Sequence, residues 1–228
     1  MKKLGILFFF TFSINLSAQL YVARAVGQDF GLFDAISNNN TESYEGNPYL
    51  NKEWRNVAIT TVSGEEMSFE KAKLDIWQHI LIVNKEGFDK TANNHLIAII
   101  DFDEGTIKKE SFMKIGVNNK LRFAKFLKQG RIKLFEVYTK NFNKVRKDPN
   151  ASGYDKKLKS SFSSLKKKFY ISIDDEELVE LKASKKGFIK SFPEEYKSKI
   201  SGLFKSQKPN LKDASELIAF LGGIEEGL

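Results

Sequence analysis

The chain of 228 residues contains no cysteine, carries a formal net charge of +8 and is 41% apolar. The absence of cysteine excludes disulfide cross-links, thiol nucleophiles and cysteine-rich zinc sites. A chain of this length and apolar content can build one domain with an ordinary hydrophobic core, or one such domain with a small appendage.

Residues 1–18 have the three-part pattern of a secretory signal peptide. Lysines at positions 2 and 3 precede an apolar stretch over residues 4–16, and small residues follow up to Ala18. That stretch is shorter than the roughly 20 apolar residues that a membrane-spanning helix needs. The sequence therefore predicts cleavage near Ala18 and an exported mature protein without a transmembrane span, either periplasmic or secreted to the cell surface. An uncleaved anchor is the alternative.

Residues 19–45 are predicted to be an N-terminal leader or linker. The polar run "SNNNTES" over residues 37–43 is typical of a loop, whereas residues 19–36 either dock as a strand or stay mobile. The phrase "EGNPYLNKEW" follows over residues 45–54. Pro48 fixes the backbone there, and Tyr49, Leu50 and Trp54 are apolar enough to pack. We therefore predict that this phrase anchors the leader to the fold.

Residues 46–182 are predicted to form an antiparallel β domain. The residue pattern predicts one strand over 56–62, a longer apolar strand over 74–83, a turn at 84–87 and a further strand over 95–102. The clearest hairpin flanks Gly130, which supplies the positive φ of a tight reversal. Three aromatic residues of this hairpin are predicted to lie in the core while the interleaved Lys and Arg face solvent: Phe123, Phe126 and Phe135.

Basic residues are concentrated in one part of the chain. Residues 108–168 contain 19 Lys and Arg against four Asp and Glu, whereas the rest of the mature chain is acidic overall. Within this region, residues 143–168 have no periodicity and are predicted to be a long basic insert. The charge either forms a solvated face balanced by acidic partners elsewhere in the fold, or forms a surface that meets polyanions.

A second hairpin is predicted after the insert, with "DDEE" over residues 174–177 at its tip. The lysines at 166–168 are expected to pair with that acidic tip, within the chain or between molecules. Residues 183–228 are predicted to be helical, with Pro193 in the first turn of one short helix and Asp213 capping another that stops at Gly222. The predicted fold class is α+β, a predominantly antiparallel β body (sheet, sandwich or barrel-like) with a C-terminal pair of short helices.

Few residues are suited to catalysis or metal binding. His79 lies in an apolar run and is predicted to be a core or barrel-interior histidine on a strand, and His95 is a loop residue without the spacing of metal ligands. The acidic segment 101–105 lacks the fifth-position ligand of a calcium loop. No serine lies in a G-x-S-x-G motif, and no glycine-rich phosphate loop is present. We therefore predict no catalytic residue, no metal site and no cofactor.

The order of several segments resembles a family of exported, uncharacterised proteins common in Bacteroidetes. These segments are "GNPYLN" (46–51), "AKLDIWQHILIV" (72–83), "GRIKLFEVYTKNF" (130–142), "FYISIDD" (169–175) and "SKKGFIKSFPEEYKSKI" (184–200). In that family the second segment usually contains Leu-Arg-Tyr-Asn-x-Tyr, of which this chain keeps Leu74 and an aromatic residue at Trp77. The resemblance implies an exported protein but supplies no catalytic residues.

Two functions fit these observations. The leading hypothesis is an exported, non-enzymatic envelope-associated or secreted binding protein that contacts an anionic cell-surface polymer, such as a glycan. The residues predicted to make this contact are Lys144, Arg146, Lys147, Lys156, Lys157 and Lys159. The alternative is a hydrolase of cell-envelope or glycan substrates that uses carboxylates brought together by the fold. Export and core aromatics disfavour a nucleic-acid partner, and the sequence predicts no oligomeric state.

Overall fold

The computed structural model describes residues 33–35, 44–103, 109–145 and 159–226, with only the backbone described for 33–35. These residues belong to one unit, Gly31–Leu228. In chain order the elements are β1 (Phe33–Ala35), β2 (Tyr44–Glu45), β3 (Arg55–Thr61), β4 (Glu66–Asp75), β5 (Ile80–Lys85), β6 (Phe88–Ala92), β7 (Ile97–Asp103), β8 (Lys109–Val117), β9 (Lys120–Lys128), β10 (Ile132–Thr139), β11 (Phe142–Asn143), β12 (Ser160–Phe162), β13 (Lys166–Ile173), β14 (Val179–Leu181), α1 (Lys185–Lys190), α2 (Glu194–Ser206) and α3 (Ala214–Glu225).

Most of the strands form one large antiparallel sheet. Its strand order is β1-β6-β5-β4-β3-β7-β8-β9-β10-β13-β14, and every neighbouring pair is antiparallel. Strands β11, β12 and β2 form a separate small sheet in that order. The predicted fold class is confirmed, because the chain is an α+β fold with a mostly antiparallel β body. The predicted number of C-terminal helices was wrong, since the described chain has three rather than two.

The hairpin around Gly130 is confirmed. Strands β9 and β10 pair with Phe126 opposite Phe135, and Gly130 has a φ of 144°. This positive φ favours glycine, and a Cβ at this position would lie 2.6 Å from a carboxylate oxygen of Glu225 and would displace that side chain. Phe123 and Phe135 are buried and Phe126 packs against the same core as Phe135, as predicted.

The large sheet curls around one of its faces. His79 follows β4 and its ring lies 2.8 Å from Arg122 of β9, although β4 and β9 are four ladder steps apart in the sheet. In a flat sheet these strands would be about 19 Å apart. The interior of the curl is filled by apolar side chains from β3 to β9 and their turns: Val57, Ile59, Ala72, Leu74, Ile76, Leu81, Val83, Ala92, Ile97, Ile100, Phe102, Phe112 and Phe123.

The three helices cover the other end of the sheet. Phe188, Phe204 and Phe220, one from each helix, pack together with ring centroids 4.8–5.7 Å apart, against buried residues of β10, β13 and β14. Asp213 caps α3 by accepting a hydrogen bond from the Glu216 N–H, as predicted. The predicted stop at Gly222 was wrong, because α3 continues to Glu225. None of the described helices is both long and apolar enough to span a bilayer.

The strand predicted over 74–83 is broken into two. Residues 76–79 form a turn between β4 and β5, and His79 therefore lies in a turn with φ 57° rather than on a strand. One carboxylate oxygen of Asp75 accepts hydrogen bonds from the N–H groups of Trp77 and Gln78, at 2.9 and 2.8 Å. This local side-chain-to-backbone pairing forms a turn without glycine or proline, so the apolar pattern conceals it.

The predicted basic insert at 143–168 contains strand structure at both ends. Residue 143 belongs to β11, residues 160–162 form β12, and β13 begins at Lys166. Within the described chain the lysines at 166–168 do not pair with the acidic tip, whereas pairing between molecules stays a prediction. Asp174 lies six positions after Lys168 along an extended strand, which is a distance of about 20 Å. Lys168 instead pairs with Glu180, and Asp174 pairs with Arg131 of the neighbouring hairpin.

The predicted leader contributes strands to both sheets. Strand β1 pairs with β6, and β2 pairs in parallel with β12. The segment that follows the leader is fixed to β4 and to the residue after β4 by two backbone hydrogen bonds. The Leu50 N–H donates to the Leu74 carbonyl at 2.9 Å, and the Ile76 N–H donates to the Pro48 carbonyl at 3.0 Å. The Leu50 side chain packs against the interior of the curled sheet. Residues 46–51 therefore anchor the leader, as predicted.

Candidate functional site

Two of the six residues predicted to contact polyanions lie in the described chain. Lys144 follows β11 and Lys159 precedes β12, and both are exposed. Because β11 and β12 are antiparallel, the two lysines lie at the same end of the small sheet. A hydrogen bond of 3.2 Å from the Val145 N–H to the Ser160 hydroxyl oxygen holds this end together. Arg146, Lys147, Lys156 and Lys157 lie outside the described residues.

The small sheet packs on Trp77 through an aromatic cluster. The Trp77 ring lies 5.5 Å from both Phe142 and Phe162, and Tyr44 lies 5.3 Å from Phe162. These contacts fix the indole at the end of the large sheet, where β4 and β10 end and β9 and β13 begin. Trp77 nevertheless remains 42% exposed. An exposed indole that its neighbours hold rigidly is a suitable surface for stacking a ligand.

A cavity of about 310 Å³ lies beside Trp77 at this end of the sheet. Its described lining residues include three cations, two aromatic residues and two amides, and no Asp or Glu. They are Trp77, Asn118, Arg122, Val137, Thr139, Lys140, Asn141, Lys168 and Tyr170. We call this cavity and the aromatic cluster beside it the strand-end site. Its charge favours an anionic ligand, and Trp77 and Tyr170 supply apolar surface.

Arg122 is the cation best placed to bind a ligand in the cavity. Its Nη1 donates to Nε2 of His79, which is only 3% exposed. Burial, with a smaller effect of the Arg122 charge, lowers the pKa of His79 to about 4, so the imidazole is neutral at pH 7 and accepts this bond. A guanidinium has five N–H donors, and within the described part of the chain no carboxylate pairs with Arg122. Most of its donors therefore remain for a ligand.

The other two cations of the cavity are already engaged. Lys140 Nζ lies 2.7 Å from the Tyr49 carbonyl, 3.0 Å from the Asn47 carbonyl and 3.3 Å from the Asn47 side-chain oxygen. These contacts use all three donors of the ammonium group, and burial, followed by the charge of Lys52, lowers the pKa of Lys140. Lys168 Nζ lies 3.1 Å from a Glu180 carboxylate oxygen. Both lysines therefore contribute mainly positive potential.

No pair of carboxylates converges in the strand-end site or in a second cavity of the described chain, near β14. Among the described lining residues, the strand-end cavity has no carboxylate and the cavity near β14 has only Glu180, which accepts hydrogen bonds from two lysines. Asp75 and Glu136 are buried, but Asp75 forms the turn after β4 and Glu136 accepts from the Tyr138 hydroxyl. Burial raises the pKa of Asp75. Among the described residues, no three His, Asp or Glu side chains cluster in a way that would hold a metal ion.

Sequence reasoning missed the main residues of the strand-end site. It placed His79 in the core, which its burial confirms, but it did not connect His79 with Arg122 or assign a role to Trp77. Arg122 lies on β9 and His79 lies 43 positions earlier in the chain, in a turn that the pattern does not predict. Asp75 before Trp77 was the one local signal for that turn.

In comparisons with known proteins, no family model, no curated protein and no solved structure matches this chain.

Proposed function

We propose that the protein is an exported, non-enzymatic binding protein whose strand-end site holds an acidic carbohydrate. The observation that carries the proposal is Arg122, a half-buried arginine that is held by a neutral histidine and lines a cavity whose described lining residues include no carboxylate. A guanidinium binds carboxylates and sulfates through two parallel N–H bonds, which suits the acidic group of a uronic or sulfated sugar. The proposal also includes two predictions from the sequence, namely export and membership in the family of exported Bacteroidetes proteins that the chain resembles.

The aromatic part of the strand-end site supports a carbohydrate as the ligand. The C–H face of a sugar ring packs on a flat indole, and its hydroxyl groups bond to side-chain amides and hydroxyls. The cavity offers Trp77 for stacking, with Asn118, Thr139 and Asn141 nearby as polar partners. Lys144 and Lys159 lie beside the aromatic cluster, because β11 and β12 carry Phe142 and Phe162. They extend the positive surface along a polymer longer than one sugar.

The test is binding of heparin oligosaccharides to the wild-type chain and to Arg122→Gln. Loss of a charge-assisted contact of about 1.5–3 kcal/mol should weaken binding about tenfold or more. Arg131→Gln is the matched control, because Arg131 is also an arginine of the large sheet's hairpins but is exposed and already bonded to Asp174 at 2.9 Å. Equal affinity of the two variants would contradict the proposal.

Two further measurements separate this proposal from its alternatives. A neutral dextran of the same length should bind much more weakly, and heparin affinity should fall steeply as salt rises from about 50 to about 200 mM. The second candidate, a glycan hydrolase, predicts shortened oligosaccharides after long incubation. The absence of carboxylates from the described lining of the strand-end site argues against that reaction, which normally needs two.

A further inference from the structure

Strand β13 has an open edge at its beginning. On one side it pairs with β10 over its full length, from Lys166 opposite Thr139 to Ile173 opposite Ile132. On the other side it pairs with β14 only from Phe169 to Ile171. In the described chain no strand lies beside Lys166–Lys168 on that second side. The main-chain groups along this edge are therefore available to another extended segment.

A cavity of about 280 Å³ lies where β14 would continue along this edge. Residues 167–169 of β13 form one wall, residues 180–183 close one end, and Leu211 and Lys212, between α2 and α3, form the other wall. Phe169, Leu181 and Leu211 give the cavity apolar lining. An incoming strand would have a hydrogen-bonding edge on one side and an apolar surface for alternate side chains.

The charges around this edge select the kind of segment that can bind. Five exposed lysines surround it, namely Lys166, Lys167, Lys168, Lys182 and Lys212. The carboxylate of Glu180 is already shared by Lys168 at 3.1 Å and Lys182 at 2.8 Å. Edge lysines oppose pairing with a second copy of the chain, because the copy brings the same lysines to the same edge. An acidic segment meets the opposite charge.

We propose that the open edge of β13 binds an extended acidic segment of a partner protein as an added strand. The backbone of the segment pairs with Lys166–Lys168, and its apolar side chains enter the cavity between β13 and Leu211. Its acidic side chains pair with the surrounding lysines. The edge shares Lys168 with the strand-end site but includes neither Arg122 nor Trp77, so peptide binding and carbohydrate binding can be tested with different variants.

The experiment uses the full mature chain and a short, capped peptide of alternating glutamate and valine with a fluorescent label. A matched peptide with every backbone nitrogen methylated keeps the charge but has no N–H group to donate along either edge. We expect only the unmethylated peptide to bind measurably and to slow deuterium exchange of those amides among residues 166–168 that point away from β10. Equal binding of both peptides, or binding without this protection, would show that charge alone is responsible and would overturn the added-strand proposal.

Substitutions locate the binding surface. The double variant Lys182→Ser with Lys212→Ser should weaken peptide binding about tenfold, since two charge contacts are lost. Lys71→Ser with Lys109→Ser is the matched control, because both lysines are exposed but lie on β4 and β8, away from this edge. Arg122→Gln should leave peptide binding unchanged. No binding of any peptide, or tighter binding to phosphatidylglycerol vesicles than to the peptide, would reject a protein strand as the occupant.

Discussion

The buried His79 makes the folded state sensitive to mild acid. Its pKa is lowered from 6.5 to about 4 by burial and by Arg122. Between these values the unfolded chain binds a proton that the folded chain does not, so the free energy of unfolding falls as the pH is lowered through this window. A pKa difference of one between the two states corresponds to about 1.4 kcal/mol of folding free energy. The shift of His79 therefore corresponds to about 3 kcal/mol of stability, which is fully present above about pH 6.5 and is lost by about pH 4.

Carboxylates also titrate in this range, so the effect is measured as a difference between the wild-type chain and His79→Asn. Asparagine tolerates the positive φ of this turn, which is 57°, and carries no titrating group. Urea unfolding followed by circular dichroism at several values from about pH 7 to about pH 4 gives the two stabilities. The wild type should lose about 3 kcal/mol more than the variant over this range.

The other histidine provides the control. His95 is exposed, and His95→Asn is the matched substitution, measured over the same pH range. If the wild-type and His79→Asn curves run in parallel, the imidazole of His79 is not held neutral by its surroundings. The assignment of His79 as the neutral acceptor that positions Arg122 would then be wrong.

Three further substitutions test the fold by urea unfolding. Gly130→Ala should lower the free energy of unfolding by about 1–3 kcal/mol, because the backbone has a positive φ there and the new Cβ would lie 2.6 Å from Glu225. Gly116→Ala is the control and should have little effect, because no atom lies within 4 Å of its Cβ position. Equal effects of the two substitutions would contradict this prediction. Asp213→Ala should cost about 1 kcal/mol by removing the cap of α3, and an unchanged midpoint would show that the cap contributes nothing. Phe188→Ala should cost about 3–5 kcal/mol, since the ring is fully buried among the helices, and a loss below about 1 kcal/mol would refute that packing.

The elements predicted correctly have strong local signals. Strand β3 has β-branched residues, the β9–β10 hairpin has Gly130, and α3 has the Asp213 cap, all of which act within a few residues. Helix α1 was missed because its six residues carry no apolar periodicity that a short window can resolve, although Ser184 caps it. The continuation of α3 through Gly222 shows that tertiary packing can outweigh the helix-breaking tendency of glycine.

The candidate site could not be predicted because its residues meet only through the curl of the sheet. Trp77 and His79 come from one turn, Arg122 from β9, and Tyr170 from β13. Sequence reasoning found the excess of positive charge in this region and placed it on the insert. Of the six residues predicted to contact polyanions, Lys144 and Lys159 belong to the described chain, and both lie beside the strand-end site. Composition indicates an excess of positive charge, but it does not identify Arg122 as an arginine that pairs with no carboxylate of the described chain.

The parallel pair of β2 and β12 has a consequence for the order of folding. It joins Tyr44 to Ser160, two residues that are far apart in the chain, and it forms part of the aromatic cluster around Trp77. Closing so long a loop has a large entropic cost and contacts of this kind form slowly. A chain that emerges progressively from a ribosome or an export channel cannot assemble the strand-end site before Tyr170 has emerged. The strand-end site therefore forms late in synthesis, after the antiparallel strands from β3 to β9 can already have paired.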